Sequence, residues 1–202
     1  MTWPRADPDL PMNTCDHFAL LAPFYDHIFG FPDPTRLCDL LRLPTPGRLL
    51  DAGGGTGRVS EMLCGQAAQI VVVDLSAAML RQAGRKSGLR VSRAHVERLP
   101  FPDDVFERIL MVDAFHHLCD QRQAALDLLR VLAPGGRLVV EEPNIETLPV
   151  KLIALGERLM LMRSRFYSLA DMRRIFEAAG GRVTIESDHV YNAWVIVEKY
   201  AS

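Results

Sequence analysis

A chain of 202 residues, 49% hydrophobic and 24% charged, has the make-up of one globular domain. Its formal net charge of -2 excludes the strongly basic footprint of a general nucleic-acid binder. The four cysteines, Cys15, Cys38, Cys64 and Cys119, form no C-x-x-C pair, so zinc and dithiol chemistry lack their spacing and reduced thiols of a cytoplasmic protein are expected.

Residues 1–14 carry acids and three prolines and no apolar core of a secretory leader; they are expected to be loosely ordered. Residues 15–45 predict a helical cover, with the apolar stretch "CDHFALLAPFYDHIFG" broken at Pro23. From there strand and helix patterns alternate. "RLLDA" (48–52) predicts a strand, followed by glycines and a helix over 57–65. The β-branched "QIVVVDL" (69–75) predicts a second strand, and 76–86 a helix. Strands follow over 89–96 and 106–115, then a helix over 120–133 closed by Pro134-Gly135-Gly136, then a strand over 137–143. Residues 168–181 predict a helix opened by Ser168 and Asp171, and 182–187 with 193–200 an antiparallel hairpin. Continuous apolar strands separated by helices indicate a doubly wound α/β sheet buried on both faces, one domain over 1–202. No run of about 18 uncharged apolar residues predicts a membrane span.

The chemistry concentrates at "RLLDAGGGTGRVSEM", 48–62, where four glycines fall within five residues. Ordering glycine is entropically costly, so the backbone is expected either to adopt positive φ or to lie against a ligand. A phosphate loop needs a Gly-Lys pair, and the chain has none. The dinucleotide fingerprint started at Gly53 and Gly55 requires a third glycine where Arg58 stands. What remains is Asp51-x-Gly53-x-Gly55-x-Gly57, followed after 17 residues by Asp74 at the end of the second predicted strand. An acid there can accept both hydroxyls of a ribose, or cap the helix that follows.

This spacing resembles the first motif of the class I S-adenosylmethionine (SAM)-dependent methyltransferases. "LPFPDDVFE" (99–107) and "LRVLAPGGRLVVEEP" (129–143) resemble later blocks of the same family. "FALLAPFYDHIFG" (18–30) resembles the lead-in of the subgroup containing the ubiquinone and menaquinone biosynthesis C-methyltransferases. The resemblance implies a seven-stranded, mostly parallel sheet in the order 3-2-1-4-5-7-6 with strand 7 antiparallel and helices on both faces. It implies SAM as cofactor, held by Tyr25, Asp51, Gly53, Gly55, Gly57, Asp74, Leu75, Met79, His95, Val96, Asp113 and Ala114. Tyr25 would close over the cofactor, Asp51 place an anion near its cationic end, and Leu75 lie on the adenine. Where the family usually has an acid to accept from the adenine amino group, His95 stands; a neutral imidazole nitrogen can accept the same bond.

"VDAFHHL" (112–118) follows the fourth strand, and one of His116 and His117 is expected to orient or deprotonate an acceptor hydroxyl. The alternative is that both histidines cap or pack the turn. Residues 144–166, rich in Leu, Ile and Met, have three readings: a lid over the acceptor pocket, a core helix, or a membrane-surface helix aided by Lys151, Arg158, Arg163 and Arg165. The expected activity is methyl transfer to a small apolar acceptor, with no metal and no nucleic-acid partner. The rival readings are a SAM-binding protein without turnover and an NAD-dependent oxidoreductase.

Overall fold

The structure is a computed structural model, and it describes residues 33–144, 167–188 and 190–201. Five helices and seven strands alternate within them. They are α1 Pro34–Leu41, β1 Thr45–Ala52, α2 Arg58–Met62, β2 Ala67–Asp74, α3 Ala77–Ala83, β3 Leu89–Arg93 and β4 Phe106–Val112, then α4 Gln121–Val131, β5 Leu132–Pro143, α5 Leu169–Ala178, β6 Gly181–Ser187 and β7 Asn192–Lys199. The strands form one sheet in the order β3-β2-β1-β4-β5-β7-β6. β1 to β5 run parallel, and β7 pairs antiparallel with both β5 and β6. The architecture is the one the resemblance implies.

Alternation along each strand builds two cores. Leu49, Ile70, Leu110, Val139 and Ile196 face one side, where they pack with Leu37, Leu40 and Leu41 of α1 and Val59 of α2. Leu50, Val71, Ile109, Val140 and Val195 face the other, with Ala124 and Leu128 of α4 and Phe176 of α5. Each fully buried aliphatic side chain contributes roughly 1.5–3 kcal/mol, so burial on both faces specifies the register. Caps fix the helix starts: Asp120 accepts from the Arg122 and Gln123 amides, and Ser168 accepts from Asp171.

Several boundaries differ from the sequence expectation. β3 stops at Arg93, and β4 at Val112; each is followed by a single 3₁₀ turn, Val96–Arg98 and Phe115–His117. Both strand predictions overran because apolar residues past the sheet edge (Val96, Ala114, Phe115) are buried in a core without pairing in the ladder. α4 stops at Val131, before the glycines. Leu132 already pairs with Phe106, and regular pairing resumes at Arg108 with Arg137, so Pro134-Gly135-Gly136 is an excursion within β5. Gly135 takes φ +72° there. Lys199 closes this corner by donating from Nζ to the carbonyls of Leu129 and Leu132 and to Asp104.

No described helix is long and apolar enough to cross a membrane. Tyr25, residues 1–14, the first part of the 15–45 cover and the 145–166 segment lie outside the described residues.

Candidate active site at the carboxyl ends of the strands

The parallel strands end on one edge, and strand order reverses between β1 and β4, which opens a crevice there. At the tip of β1 the amides of Gly53 and Gly54 both donate to the Val73 carbonyl, at 2.8 and 3.1 Å, which folds the chain over the end of β2. Gly53, Gly55 and Gly57 take φ of +73°, +55° and +69°, a region open mainly to glycine. A Cβ on Gly53 would lie 2.7 Å from Ala114 Cβ, one on Gly54 2.5 Å from the Asp51 carboxyl, and one on Gly57 2.8 Å from Leu89. At Gly55 a Cβ would come no nearer than 4.0 Å to a neighbour, so that stretch of bare backbone faces open space beside Asp74. Three glycines thus serve the turn and its packing, and the fourth leaves a cradle.

Two acids frame the cradle. Asp74 is held from both sides: its Oδ2 accepts from the Gly55 amide at 2.9 Å and its Oδ1 from the Ser76 amide at 2.7 Å. Ser76 itself caps α3 by accepting from the Met79 amide, so the cap falls to Ser76. Asp51 is buried and accepts from Ser60 Oγ at 2.6 Å. Burial pushes its carboxyl from 3.8 up to about 6, with the charge of Asp74 adding to the rise and Ser60 and Arg58 opposing it.

Arg58, only 5% exposed, occupies the position that a dinucleotide fold would give to glycine. It faces Asp113 at 3.6 Å. Asp113 follows β4 directly with φ +51°, and its amide donates to the Glu141 carbonyl. Glu141 is buried on the same face as Arg58 and accepts from Trp194 Nε1 at 2.7 Å. Burial raises its carboxyl; the Trp194 bond and Arg58 act against that rise. Glu142, its neighbour, faces the opposite core. It accepts from the Phe115 amide at 2.7 Å and pairs with His116 Nδ1 at 2.5 Å.

The remaining expected residues are distributed along this edge. Leu75 is half-buried beyond β2, and Met79 is buried on α3. His95, partly exposed, caps the 3₁₀ turn after β3, where its Nδ1 lies 3.8 Å from Glu97. Val96 puts its side chain into the core. Ala114 packs under Gly53. His116 is buried at 5% exposure, and its ring lies 4.0 Å from that of His117, centroid to centroid. Burial, and then the neighbouring His116, push His117 down to about 3, so His117 is neutral at physiological pH. Sequence reasoning missed Arg58 as a participant, and with it Ser60, Glu141, Glu142 and Trp194. Two consecutive acids closing an apolar parallel strand were the available signal, because buried carboxylates demand partners. Among the described residues no group of His, Cys, Asp and Glu is arranged to hold a metal ion.

A sheet in this order, with a glycine turn at the end of β1 and an acid at the end of β2, is the arrangement of the class I SAM-dependent methyltransferases, which this chain resembles. Residues 50–140 match the family model described as a methyltransferase domain. The demethylmenaquinone methyltransferase of Thermus thermophilus is 38% identical over 139 residues, covering 62% of this chain and 63% of that protein. The ubiquinone/menaquinone biosynthesis C-methyltransferase UbiE of Coxiella burnetii is 33% identical over 123 residues, covering 55% of this chain and 49% of that protein. The chain thus spans 49% to 63% of the length of these relatives. In fold it is similar to the [4+2]-cyclase SpnF, with a TM-score of 0.77 at 17% identity over 92% of this chain and 94% of that one.

Proposed function

We propose that this protein binds SAM across the carboxyl ends of β1, β2 and β3 and transfers its methyl group to a small, apolar, hydroxylated ring of the quinol type. The observation that carries the reading is Asp74, whose two oxygens are aimed by the Gly55 and Ser76 amides beside bare glycine backbone. That arrangement suits a ribose with two neighbouring hydroxyls. The donor set fits the rest of the cofactor: Asp51 offers an acceptor for an ammonium, and Gly53 to Gly55 allow close approach. Leu75 and Met79 would flank the adenine, His95 and the Val96 backbone meet its polar edge, and Asp113 and Ala114 border the methyl. Tyr25 keeps its proposed role as cover. The quinol class is supported by the relatives, whose names state demethylmenaquinone and ubiquinone/menaquinone biosynthesis as theirs.

When bound, the cofactor supplies an activated methyl group on a good leaving group. The chain's part is to hold the acceptor carbon or oxygen in line with it; such positioning can contribute on the order of 7–11 kcal/mol. His116 and His117, on the turn after β4, are the residues proposed to orient an acceptor hydroxyl or take its proton. The similarity to a cyclase makes turnover the question to test.

The test is to incubate the protein with SAM and a chemically reduced short-chain demethylmenaquinone, and separately with a cell extract, and to follow S-adenosylhomocysteine. Formation with the quinol supports the full reading. Formation only with extract keeps the methyltransferase and replaces the acceptor. SAM binding without formation in either arm identifies a binder without turnover.

A further inference from the structure

We infer that the free edge of the sheet, α3 with β3, is a cationic docking surface for an anionic phospholipid bilayer. Residues 75–96 carry five cations, Arg81, Arg85, Lys86, Arg90 and Arg93, and no acid. In a chain of formal net charge -2, the rest therefore stands at -7. The fold gathers this positive charge on one edge. β3 ends the sheet and pairs with β2 alone. Leu80 and Ala83 of α3 pack with Leu89 of β3, and a Cβ on Gly84 would lie 3.9 Å from Val91 Cγ2. Arg81 and Arg85 stand four residues apart across the end of α3, and Arg90 stands on β3; all three are exposed. Among the described residues no carboxylate pairs with any of them or with Arg93. Arg85 Nη1 donates to Gln82 Oε1, and Arg93 Nε donates to the Leu75 carbonyl at 2.8 Å. Lys86 is the exception, 3.1 Å from Glu61.

Exposed basic side chains attract the phosphates of lipids and of nucleic acids alike. Three observations select the bilayer. Residues 75–96 hold no Phe, Tyr or Trp, so the surface lacks the platform on which bases stack. Val91, 42% exposed, is the one large apolar side chain that this surface exposes among the described residues, so contact is made by charge. Arg93 is the register partner of Asp74, so the surface reaches the carboxyl edge where the crevice opens. Docking by this edge sets the crevice at the bilayer, where an apolar quinol dissolves. That last point rests on the proposed methyl transfer; the docking itself rests on charge alone. Charged side chains on an edge strand also block pairing with another chain, a role that needs no lipid.

The full chain is floated with vesicles of phosphatidylcholine alone and of phosphatidylcholine mixed with phosphatidylglycerol, without SAM or acceptor. Wild type should float with the anionic vesicles and not with the neutral ones, and less as salt rises. Each cation facing an anionic leaflet contributes roughly five-fold in affinity, so Arg81→Gln, Arg85→Gln and Arg90→Gln together should weaken binding on the order of 10²-fold, with SAM affinity unchanged. The same charge removed elsewhere, by Arg42→Gln, Arg122→Gln and Arg174→Gln at exposed positions, should leave binding within a few-fold of wild type. Wild type that ignores anionic vesicles overturns the proposal, as does an equal loss in the two triple variants. Capture of duplex DNA at the same salt, with none of the vesicles, overturns it in favour of nucleic acid. Should R81Q/R85Q/R90Q fail to fold, the lipid and salt dependence of the wild type still decides. Docking by a protein that does not methylate reduced demethylmenaquinone upholds this surface and sinks the acceptor reading. Where both hold, the triple variant should lose turnover of a long-chain quinol held in anionic vesicles and keep that of a short-chain quinol in solution.

Discussion

Asp51 is built to bind at the expense of stability. Its carboxyl is fully buried and its pKa is raised from 3.8 to about 6, so at neutral pH the folded protein carries an anion that the unfolded chain carries more easily. A rise of about 2 pKa units corresponds to about 3 kcal/mol. The direction follows from proton binding: between pH 4 and 6 the folded state holds a proton that the unfolded state has released, so this group's contribution to stability declines as pH rises through that window. Asp51→Asn is the isosteric probe. Its amide oxygen still accepts from Ser60, whose hydroxyl reaches Asp51 at 2.6 Å. Without ligand, D51N should be more stable than wild type by about 3 kcal/mol at pH 7.5 and by about half that at pH 5. Denaturant unfolding at the two pH values measures both gaps, and other titrating groups cancel in the difference. SAM affinity in the variant should fall by roughly 10- to 100-fold, the loss of one charge-assisted hydrogen bond. A wild type more stable than D51N at pH 7.5, by a margin that ignores pH, would refute the reasoning, because it would make Asp51 a structural anion.

Other perturbations read other parts of the site. Asp74→Ala removes an acceptor expected to meet two ribose hydroxyls and should weaken SAM binding by about 1.5–3 kcal/mol for each bond; unchanged calorimetric affinity counts against the ribose role. Gly53→Ala should cost well over the 1–2 kcal/mol of a left-handed residue, since its Cβ would meet Ala114 at 2.7 Å, whereas Gly135→Ala, with φ +72° and nothing within 4 Å, should cost only that strain. Equal thermal shifts for the two would mean that Gly53 is there for φ alone. Lys199→Met removes the donor to the Leu129 and Leu132 carbonyls and should lower stability by about 1–3 kcal/mol without touching SAM affinity; thermal melts with and without SAM separate the two effects.

The sheet was legible because its strands are buried on both faces and so read as unbroken apolar runs, "QIVVVDL" above all. The ends of strands were less legible. Burial continues past the last ladder bond at Val96 and at Phe115, and hydrophobicity reports burial, not pairing. In the site, Asp51, Asp74 and the glycines stood out because their spacing follows from one turn. Arg58, Glu141 and Glu142 did not, because their meaning depends on contacts across the fold: Arg58 with Asp113 just after β4, Glu141 with Trp194 from β7, Glu142 with the turn after β4. The histidine pair was visible as a motif, whereas the carboxylate that holds His116 lies 26 residues further along the chain.

Equilibrium titration of the wild-type protein with SAM and, in parallel, with NAD bears most directly on the central claim. The account predicts saturable binding of SAM, weakening as pH falls below about 6 where Asp51 protonates, and no binding of NAD. Binding of NAD with none of SAM would contradict it, since the crevice between Asp51 and Asp74 would then hold a different nucleotide.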